Sequence, residues 1–498
     1  MRRSWRGAVV AVVLAGCTAA TGGPAAPVVA EAQRAAEPSQ DELPPTGGVV
    51  VAQPDPVGTW WQQHPEDVAA GDLAALWSLP LYRTDDLGRQ VPALARSART
   101  SMAEAGWTVE VDLAEGAWSD GAPVGPADVV ATARALAAAR PAAWGAWVDA
   151  AVVDQDTVRL TFDRPFAAWA ALLSRPPGVL PAHVLEEGGL DAFADELPVT
   201  GGWFRLEGRE PGVSMAFVAH DAGPLGPPLL ASVDVLVVPG HETALGLLDE
   251  ARVDVVLGHV ALDAPARRAG LTDVAAADVF GGTRVELVWP DGGGAAAQRL
   301  AAASRLDPGP FVEGLLRDGG RAVGGLTPAL EALPRPVVVE ASGTAVVQLP
   351  RTVEGLGLLA RRLQADLANA GTDTTLVRLD PPEHLDPPVG TDAHLRLVRV
   401  DPWRSMAALA AEVGLATASG LAADAAGHVP LDPMGAAGPV PTSLQPLHET
   451  LGADPRVLPL AELAVTHVWD PTAVTGLRPS AWPGIGLWNV GEWTVPEG

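Results

Sequence analysis

The sequence contains no lysine, one cysteine and one tyrosine among its 498 residues. With Cys17 as the single cysteine, the chain cannot form an internal disulfide or a metal site built from several thiolates, so its stability has to come from packing. Arginine carries all the basic charge, and 33 basic against 60 acidic residues give a net charge of −27. Such a charge repels a phosphate backbone and therefore argues against nucleic-acid binding.

Motifs for catalysis and for cofactor binding are also missing. The chain has no HExxH, no GxSxG, no GxxxxGK[ST] and no GxGxxG that opens a helix after a strand. The ten histidines are dispersed, and His64, His241 and His394 have no partner at a spacing typical of metal ligands. We therefore expect no enzymatic activity, no metal site and no cofactor.

The amino-terminal residues have the charged-then-apolar order of a secretory signal. Three arginines precede the apolar run Ala8–Ala15, which is too short to span a bilayer as a permanent helix. The run ends in Leu14-Ala15-Gly16-Cys17, which resembles the bacterial lipobox, where the signal is cleaved before a cysteine that carries diacylglycerol. We predict a signal peptide at 1–16 and a lipid on Cys17 that holds the protein on the outer face of the cytoplasmic membrane. The alternative is an ordinary signal peptide with an incidental cysteine.

Residues 17–46 are rich in Ala, Pro, Gly and Thr and show no periodicity, which predicts a flexible, lipid-anchored tether. The successive valines of Gly48–Gln53 then predict a buried strand with which a globular body begins. No later segment approaches about 18 uninterrupted apolar residues, so we expect no membrane-spanning helix in that body.

Helical and strand patterns are interleaved in the first half of the body. Alternation predicts half-buried strands at Trp107–Leu113 and Thr157–Phe162, and Ala127–Arg140 between them has no helix breaker. Two apolar runs, Val233–Val238 and Val253–Leu257, flank the helical stretch Glu242–Ala251. This βαβ pattern predicts a parallel sheet that is covered on both faces.

A second α/β unit is predicted in the other half. Leucines recur at spacings of three and four from Leu356 to Leu367 and predict one apolar helix face, which Gly371 is placed to end. Strands are predicted at Thr374–Leu379 and Ala393–Arg399, and the Gly-, Ala- and Pro-rich stretch 415–445 predicts a surface loop.

One segment of the sequence, Val91–Leu136, resembles the signature of a known family. It contains VPALARS and then WTVEVDLAEGAWSDGAPVGPADVVATARAL, which is similar to the signature of the family 5 extracellular solute-binding proteins, the peptide- and nickel-binding receptors of ABC importers. Trp118-Ser119-Asp120-Gly121, Pro123 and Asp128-Val129-Val130 match position by position, whereas Pro126 replaces the usual alanine. Ser119, Asp120 and Gly121 indicate a turn and Trp118 covers an apolar face, which is a structural role and not a catalytic one.

The resemblance continues over most of the remaining chain. Further similar segments are 179–184 (VLPAHV), 199–204 (VTGGWF), 232–258, 360–371, Asp401-Pro402 and 485–490. It implies an α/β, two-lobed, periplasmic-binding-protein-like fold of type II, with an extra α+β subdomain inserted in lobe one. The implied boundaries are lobe one at 47–78, 199–288 and, as a carboxyl-terminal return, 471–498, the extra subdomain at 79–198, and lobe two at 289–470.

The resemblance also implies a function. The chain would be a monomeric lipoprotein that captures a peptide or similar polar solute between two lobes and delivers it to a membrane permease and its ATPase. Val398 stands where the oligopeptide-binding members have an aspartate that fixes the amino terminus of the peptide, so that salt bridge would be missing. A degenerate member that acts as a sensor or interaction lipoprotein without import is therefore an alternative, and a surface hydrolase is a third one.

Candidate ligand contacts follow from where the lobe edges are expected. Sixteen tryptophans against one tyrosine concentrate the aromatic contacts in tryptophan. The candidates are Trp60, Trp61 and Gln62 after the first strand, Trp289 at the crossing into lobe two, and Asp401 and Trp403 after a lobe-two strand. Packing is the alternative role for Trp60, Trp61 and Trp289. We assign Trp118, Trp144 and Trp147 to the core of the extra subdomain and Trp488 to the core of lobe one.

Overall fold

The computed structural model describes the folded body of the chain with gaps. The described residues are 47–53, 60, 68–86, 90–103, 106–139, 144–164, 166–174, 176–194, 196–259, 271–280, 283–289, 296–306, 309, 320–322, 343–350, 356–369, 371–379, 393–399, 457–480 and 486–496. The predicted signal peptide, the tether and the loop 415–445 lie outside them. No helix in these ranges is both long and apolar enough to cross a membrane.

The described elements alternate between strands and helices along the chain. The strands are β1 (Gly48–Gln53), β2 (Tyr82–Thr84), β3 (Gln90–Pro92), β4 (Ala95–Ala103), β5 (Gly106–Leu113), β6 (Trp147–Val152), β7 (Thr157–Phe162), β8 (Phe204–Glu210), β9 (Ser214–Ala219), β10 (Ser232–Val237), β11 (Val255–His259), β12 (Ala275–Val279), β13 (Thr283–Val288), β14 (Gly320–Ala322), β15 (Gly343–Pro350), β16 (Thr372–Leu379), β17 (Ala393–Arg399), β18 (Val457–Leu463) and β19 (Val465–Trp469). The α-helices are α1 (Val68–Trp77), α2 (Pro126–Ala139), α3 (Ala182–Gly188), α4 (His241–Asp249), α5 (Ala296–Arg305) and α6 (Leu356–Asn369), with 3₁₀ turns at Ala167–Leu173, Gly189–Phe193 and Val490–Glu492.

The first large sheet has seven strands in the order β12-β19-β11-β1-β10-β9-β8. The strand β1 lies between β10 and β11 and runs parallel to both, and α4 connects these two along the chain. This confirms the predicted βαβ unit. Val49 and Val51 face the main core, whereas Ala52 packs on the other face with Leu245 and Leu248 of α4. Residues 49–52 of the strand are all apolar because both of its faces are covered.

The second large sheet has six strands in the order β14-β18-β13-β17-β15-β16. Leu359, Leu363 and Leu367 of α6 are buried against it, as the spacing of the leucines predicts. The helix ends before Gly371, whose φ of 90° is a left-handed conformation that glycine adopts without strain. The predicted strand Ala393–Arg399 is β17, with the same bounds.

The extra α+β unit is a four-stranded sheet in the order β4-β5-β7-β6, and α2 lies against it. Alternation along β5 buries Trp107, Val109 and Val111 on one face, which confirms the predicted strand. Trp118 and Trp144 are buried and Trp147 is partly buried, and all three belong to the main core cluster, in agreement with their assignment to packing.

The chain crosses between the two large sheets twice. It leaves the first sheet after β12 and enters the second at β13, and it returns between β18 and β19. The crossings therefore lie at 279–283 and 463–465, a few residues before the predicted lobe boundaries at 289 and 470. Two sheets joined by two short crossings give the two-lobed architecture expected from the sequence.

Gly201 and Gly202 form a junction at which α1, the extra unit and the first sheet pack against one another. A Cβ on Gly201 would lie 2.4 Å from the Trp118 ring, and one on Gly202 would lie 2.5 Å from the carbonyl oxygen of Leu76. Only glycine allows these close approaches. The Gly202 carbonyl accepts a hydrogen bond from Nδ1 of His220, at 3.3 Å.

His220 makes the stability of this junction dependent on pH. Burial lowers the pKa of His220 below its ordinary value of 6.5, an effect larger than the raising effects of the Gly202 and Trp118 carbonyls and of Asp221. The folded ring therefore binds a proton only at a lower pH than the unfolded ring, which does so below about pH 6.5. We expect the free energy of unfolding to fall between pH 7.5 and 5.5, with at most about 1.4 kcal/mol of the loss coming from this one group.

Urea denaturation at both pH values, for wild type and His220→Gln, measures this contribution as the difference between their pH-dependent losses. Hydrogen bonds from Ser97 and Thr472 lower the pKa of Asp112 and Asp470, respectively, and their stabilisation is present above about pH 4 and lost only below it. These carboxylates therefore contribute little between pH 7.5 and 5.5. An equal loss in both proteins would contradict the assignment to His220.

Candidate functional site

The turn of the sequence signature is built around one buried carboxylate. Asp128, at the start of α2, is 5% exposed. Its Oδ2 accepts hydrogen bonds from Nε1 of Trp118 at 3.1 Å and from the backbone N–H of Gly125 at 2.9 Å, and its Oδ1 accepts one from the N–H of Ala182 at 2.7 Å. The signature thus ties a turn, α2 and α3 together, which supports the predicted structural role.

Strand direction identifies one edge of the first sheet as the site of both crossings. β1, β10 and β11 are parallel, so their carboxyl ends share an edge. β19 is antiparallel to both β11 and β12. The end of β12 and the start of β19, where the chain leaves and re-enters this sheet, therefore lie at that same carboxyl edge.

The second sheet has the same arrangement. β15 is parallel to β16 and β17. β13 is antiparallel to β17 and to β18, so the start of β13 and the end of β18 lie at the carboxyl edge of the parallel strands. Each sheet therefore has its crossings at the carboxyl ends of its parallel strands, which is the edge where open α/β sheets bind ligands.

Two buried glutamines stand near these carboxyl ends, one in each sheet. Gln53 is the last residue of β1 and is 2% exposed, and Gln348 lies two positions before the end of β15 and is 3% exposed. No hydrogen-bond donor among the described residues reaches Oε1 of either side chain. An unpaired buried amide oxygen costs about 1–3 kcal/mol, so two such positions at corresponding strand ends call for a functional explanation.

A pair of opposite charges lies at the crossing edge of the second sheet. Arg284, the second residue of β13, is directly opposite Glu462, the second-last residue of β18, and both are buried. Val398 of β17 is opposite Arg284 on its other side. Opposite charges at directly opposed positions favour this strand pairing. Val398, where the resemblance implies the family's aspartate, is therefore opposite an arginine that has an acid on its other side.

Trp60, a predicted ligand contact, is fully buried. Its ring packs edge-on against Trp77 at 6.0 Å between centroids, and the guanidinium of Arg209 lies 5.2 Å from the ring. Because Arg209 is near the end of β8, which runs parallel to β1, Trp60 lies towards the carboxyl edge of the first sheet. The contacts of Trp60 are those of a packing residue, and its role towards ligand stays a prediction.

Trp289 is 4% exposed and belongs to the core of the second sheet. It lines a cavity with room for about one water molecule, together with Gln298 and Thr372. This position fits hinge-side packing, and a ligand contact stays a prediction. Trp488 is buried, as expected, and its Nε1 donates to the Arg478 carbonyl at 2.9 Å.

The other predicted site residues, Cys17, Trp61, Gln62, Asp401 and Trp403, lie outside the described residues. The sequence analysis did not identify Gln53 and Gln348, although the two glutamines share a local sequence pattern. Each is a glutamine at the end of an apolar run and close to a proline, in VVVAQP and AVVQLP. Across the described ranges, no group of three or more His, Cys, Asp or Glu side chains is placed to hold a metal ion.

Comparison with protein families finds a match over the region of the sequence signature. Residues 89–282 match the family described as "Bacterial extracellular solute-binding proteins, family 5 Middle". This confirms the family resemblance predicted from the sequence. A shorter match, 33% identical over 89 residues, relates the chain to the probable monoacyl phosphatidylinositol tetramannoside-binding protein LpqW of Mycobacterium tuberculosis. It covers 17% of this chain and only 14% of the length of that relative.

Solved structures confirm the two-lobed fold. The oligopeptide-binding protein AppA from Bacillus subtilis, in complex with a nonapeptide, has a TM-score of 0.74 at 15% identity, covering 91% of this chain and all (100%) of AppA. NikZ from Campylobacter jejuni, in complex with Ni(L-His), has a TM-score of 0.72 at 15% identity, with the same coverage of 91% and 100%. At this identity the similarity concerns the fold and not the ligand.

Proposed function

We propose that this chain, whose residues 89–282 match family 5 of the bacterial extracellular solute-binding proteins, is the substrate-binding lipoprotein of an ABC importer. The observation that carries the proposal is that the crossings lie at the same edge in both sheets. Both have the carboxyl ends of their parallel strands at the crossings. A ligand held at these edges would contact both lobes at once.

Binding would follow closure of the lobes about the crossings at 279–283 and 463–465. Short connections between two rigid sheets can absorb a hinge rotation without disturbing either core. The receptor itself makes and breaks no covalent bond. Its role is to hold the solute until it meets the permease, and a lipid on Cys17 would keep it near that partner by raising its local concentration.

A polar solute is the proposed cargo. AppA and NikZ bind a nonapeptide and Ni(L-His), so the fold accommodates ligands of very different chemistry. Peptide binding by this chain is implied by the family resemblance alone. Val398 stands where the peptide-binding aspartate is expected, so the salt bridge to the amino terminus of a peptide would be missing.

A thermal-shift screen of the purified full chain in detergent, with pooled short peptides and pooled polar solutes, tests the function. A solute present at 100 times its Kd should stabilise the folded state by about 2.7 kcal/mol. That corresponds to an increase in Tm of several degrees for a protein of this size. Calorimetry with the individual members of an active pool then gives the stoichiometry, which should be one.

The control is each pool with a folded protein of a different family, which removes general effects of the solutes. A folded chain whose Tm no pool changes, and which gives no heat in calorimetry, would argue against import and for the sensor or interaction role.

A further inference from the structure

The two glutamines at the candidate edges point to the chemistry of the ligand, and this step rests on the proposed function. Gln53 and Gln348 occupy corresponding places, near the carboxyl end of a parallel strand in each lobe. Both are buried, and both lack a described donor for Oε1. A ligand between the lobes could supply one donor to each oxygen.

A carboxamide is an uncharged partner. Its oxygen accepts O–H or N–H groups and its NH₂ group donates, so it complements hydroxyls and amides. It cannot neutralise an ammonium or a carboxylate that loses its water on lobe closure. Two buried carboxamides therefore favour an uncharged ligand over a zwitterion.

The buried acids of the neighbouring strands have arginines across from them. Glu462 is directly opposite Arg284, and Glu286 is directly opposite Arg396 in the register of β13 and β17. Val398, next to Arg284 in the same row, supplies no charge of its own. Strand register thus places an arginine opposite each of these two acids, so we expect neither acid to be reserved for a ligand ammonium.

We propose that the solute is uncharged and rich in hydroxyl or amide groups, and that Gln53 and Gln348 bind it from the two lobes. A neutral oligosaccharide and a peptide with blocked ends share this chemistry. A peptide with a free amino terminus does not.

Calorimetry on the full chain in detergent with matched probes tests the proposal. The probes are trialanine, N-acetyl-trialanine amide, and maltotriose and mannotriose as neutral sugars. At least one neutral probe should bind at least tenfold more tightly than trialanine, and the one that binds separates an amide ligand from a sugar. Gln53→Leu and Gln348→Leu should each weaken that binding about tenfold, as expected for one lost hydrogen bond.

A stability measurement distinguishes binding from a packing role. Replacing an unpaired buried amide by leucine should leave the urea midpoint unchanged or raise it. Gln364→Leu is the matched control, because Nε2 of Gln364 donates to the Thr374 carbonyl. That variant should lower the urea midpoint and leave the affinity unchanged.

Two results would overturn the proposal while the receptor function stands: trialanine binding as tightly as its blocked form, or leucine variants that bind a neutral probe like wild type. If no probe binds at all, this proposal falls, and the solute screen decides separately whether the chain is a receptor.

Discussion

Asp128→Ala is expected to lower the free energy of unfolding by about 4 kcal/mol, well above the roughly 1 kcal/mol of an average substitution. The carboxylate accepts hydrogen bonds from Trp118, Gly125 and Ala182, and it is 5% exposed. Alanine removes all three acceptor contacts, and water cannot easily replace them at so buried a position. Urea denaturation followed by tryptophan fluorescence measures the loss.

Two variants test the cause of that loss. Asp128→Asn keeps one acceptor oxygen but turns an NH₂ group towards one of the donors, so we expect an intermediate loss of about 2 kcal/mol. Asp120→Asn changes an exposed carboxylate of the same turn. This carboxylate accepts the N–H of Ala122 at 3.0 Å and lies 2.7 Å from Nε2 of the exposed His183, and its loss should cost less than about 1 kcal/mol. Equal losses at Asp128 and Asp120 would mean that burial of the carboxylate is not the cause.

Cys17→Ser is expected to move the protein from the membrane fraction to the soluble fraction. The prediction follows from the proposed lipid on Cys17, because acyl chains contribute about 0.8 kcal/mol for each buried CH₂ group and serine would carry none. Fractionation of cells followed by immunoblotting measures the distribution, and metabolic labelling with a radioactive fatty acid measures the lipid. The label should disappear in the variant.

Thr18→Ala is the matched control beside the cysteine and should leave both fractionation and labelling unchanged. The urea midpoint of the Cys17→Ser protein should equal that of wild type, since the change lies at the start of the predicted tether. Unchanged membrane retention of Cys17→Ser would refute lipid anchoring through this residue, whatever the ligand proves to be.

Local patterns predicted ten of the 25 described strands and α-helices. The alternation in Trp107–Leu113, the unbroken helix after Pro126 and the leucine spacing before Gly371 each depend on residues a few positions apart. Such periodicities state which face of an element is buried, and they hold because the core covers that face. The βαβ unit was predictable for the same reason, since both predicted strands are apolar except for one aspartate each.

The candidate site depends on contacts that local patterns do not show. Trp60 was predicted as a ligand contact because it follows the first strand, with packing as the alternative. It is fully buried against Trp77, and its role towards ligand stays a prediction. Gln53 and Gln348 were not predicted, because a glutamine at the end of an apolar strand is unusual only if its side chain lacks a hydrogen-bond partner. Whether a partner exists depends on residues that other parts of the chain bring close.

The sequence by itself thus predicts an export and lipidation signal, and it determined the periodicity of several strands and helices and the resemblance to the family that matches residues 89–282. Tertiary structure alone decided which strands share a sheet, where the chain crosses between lobes, and which buried polar groups are satisfied. The three donors to Asp128 lie 10, 3 and 54 positions away. Hydrogen bonding at that range follows from packing in three dimensions, which periodicity along the chain does not encode.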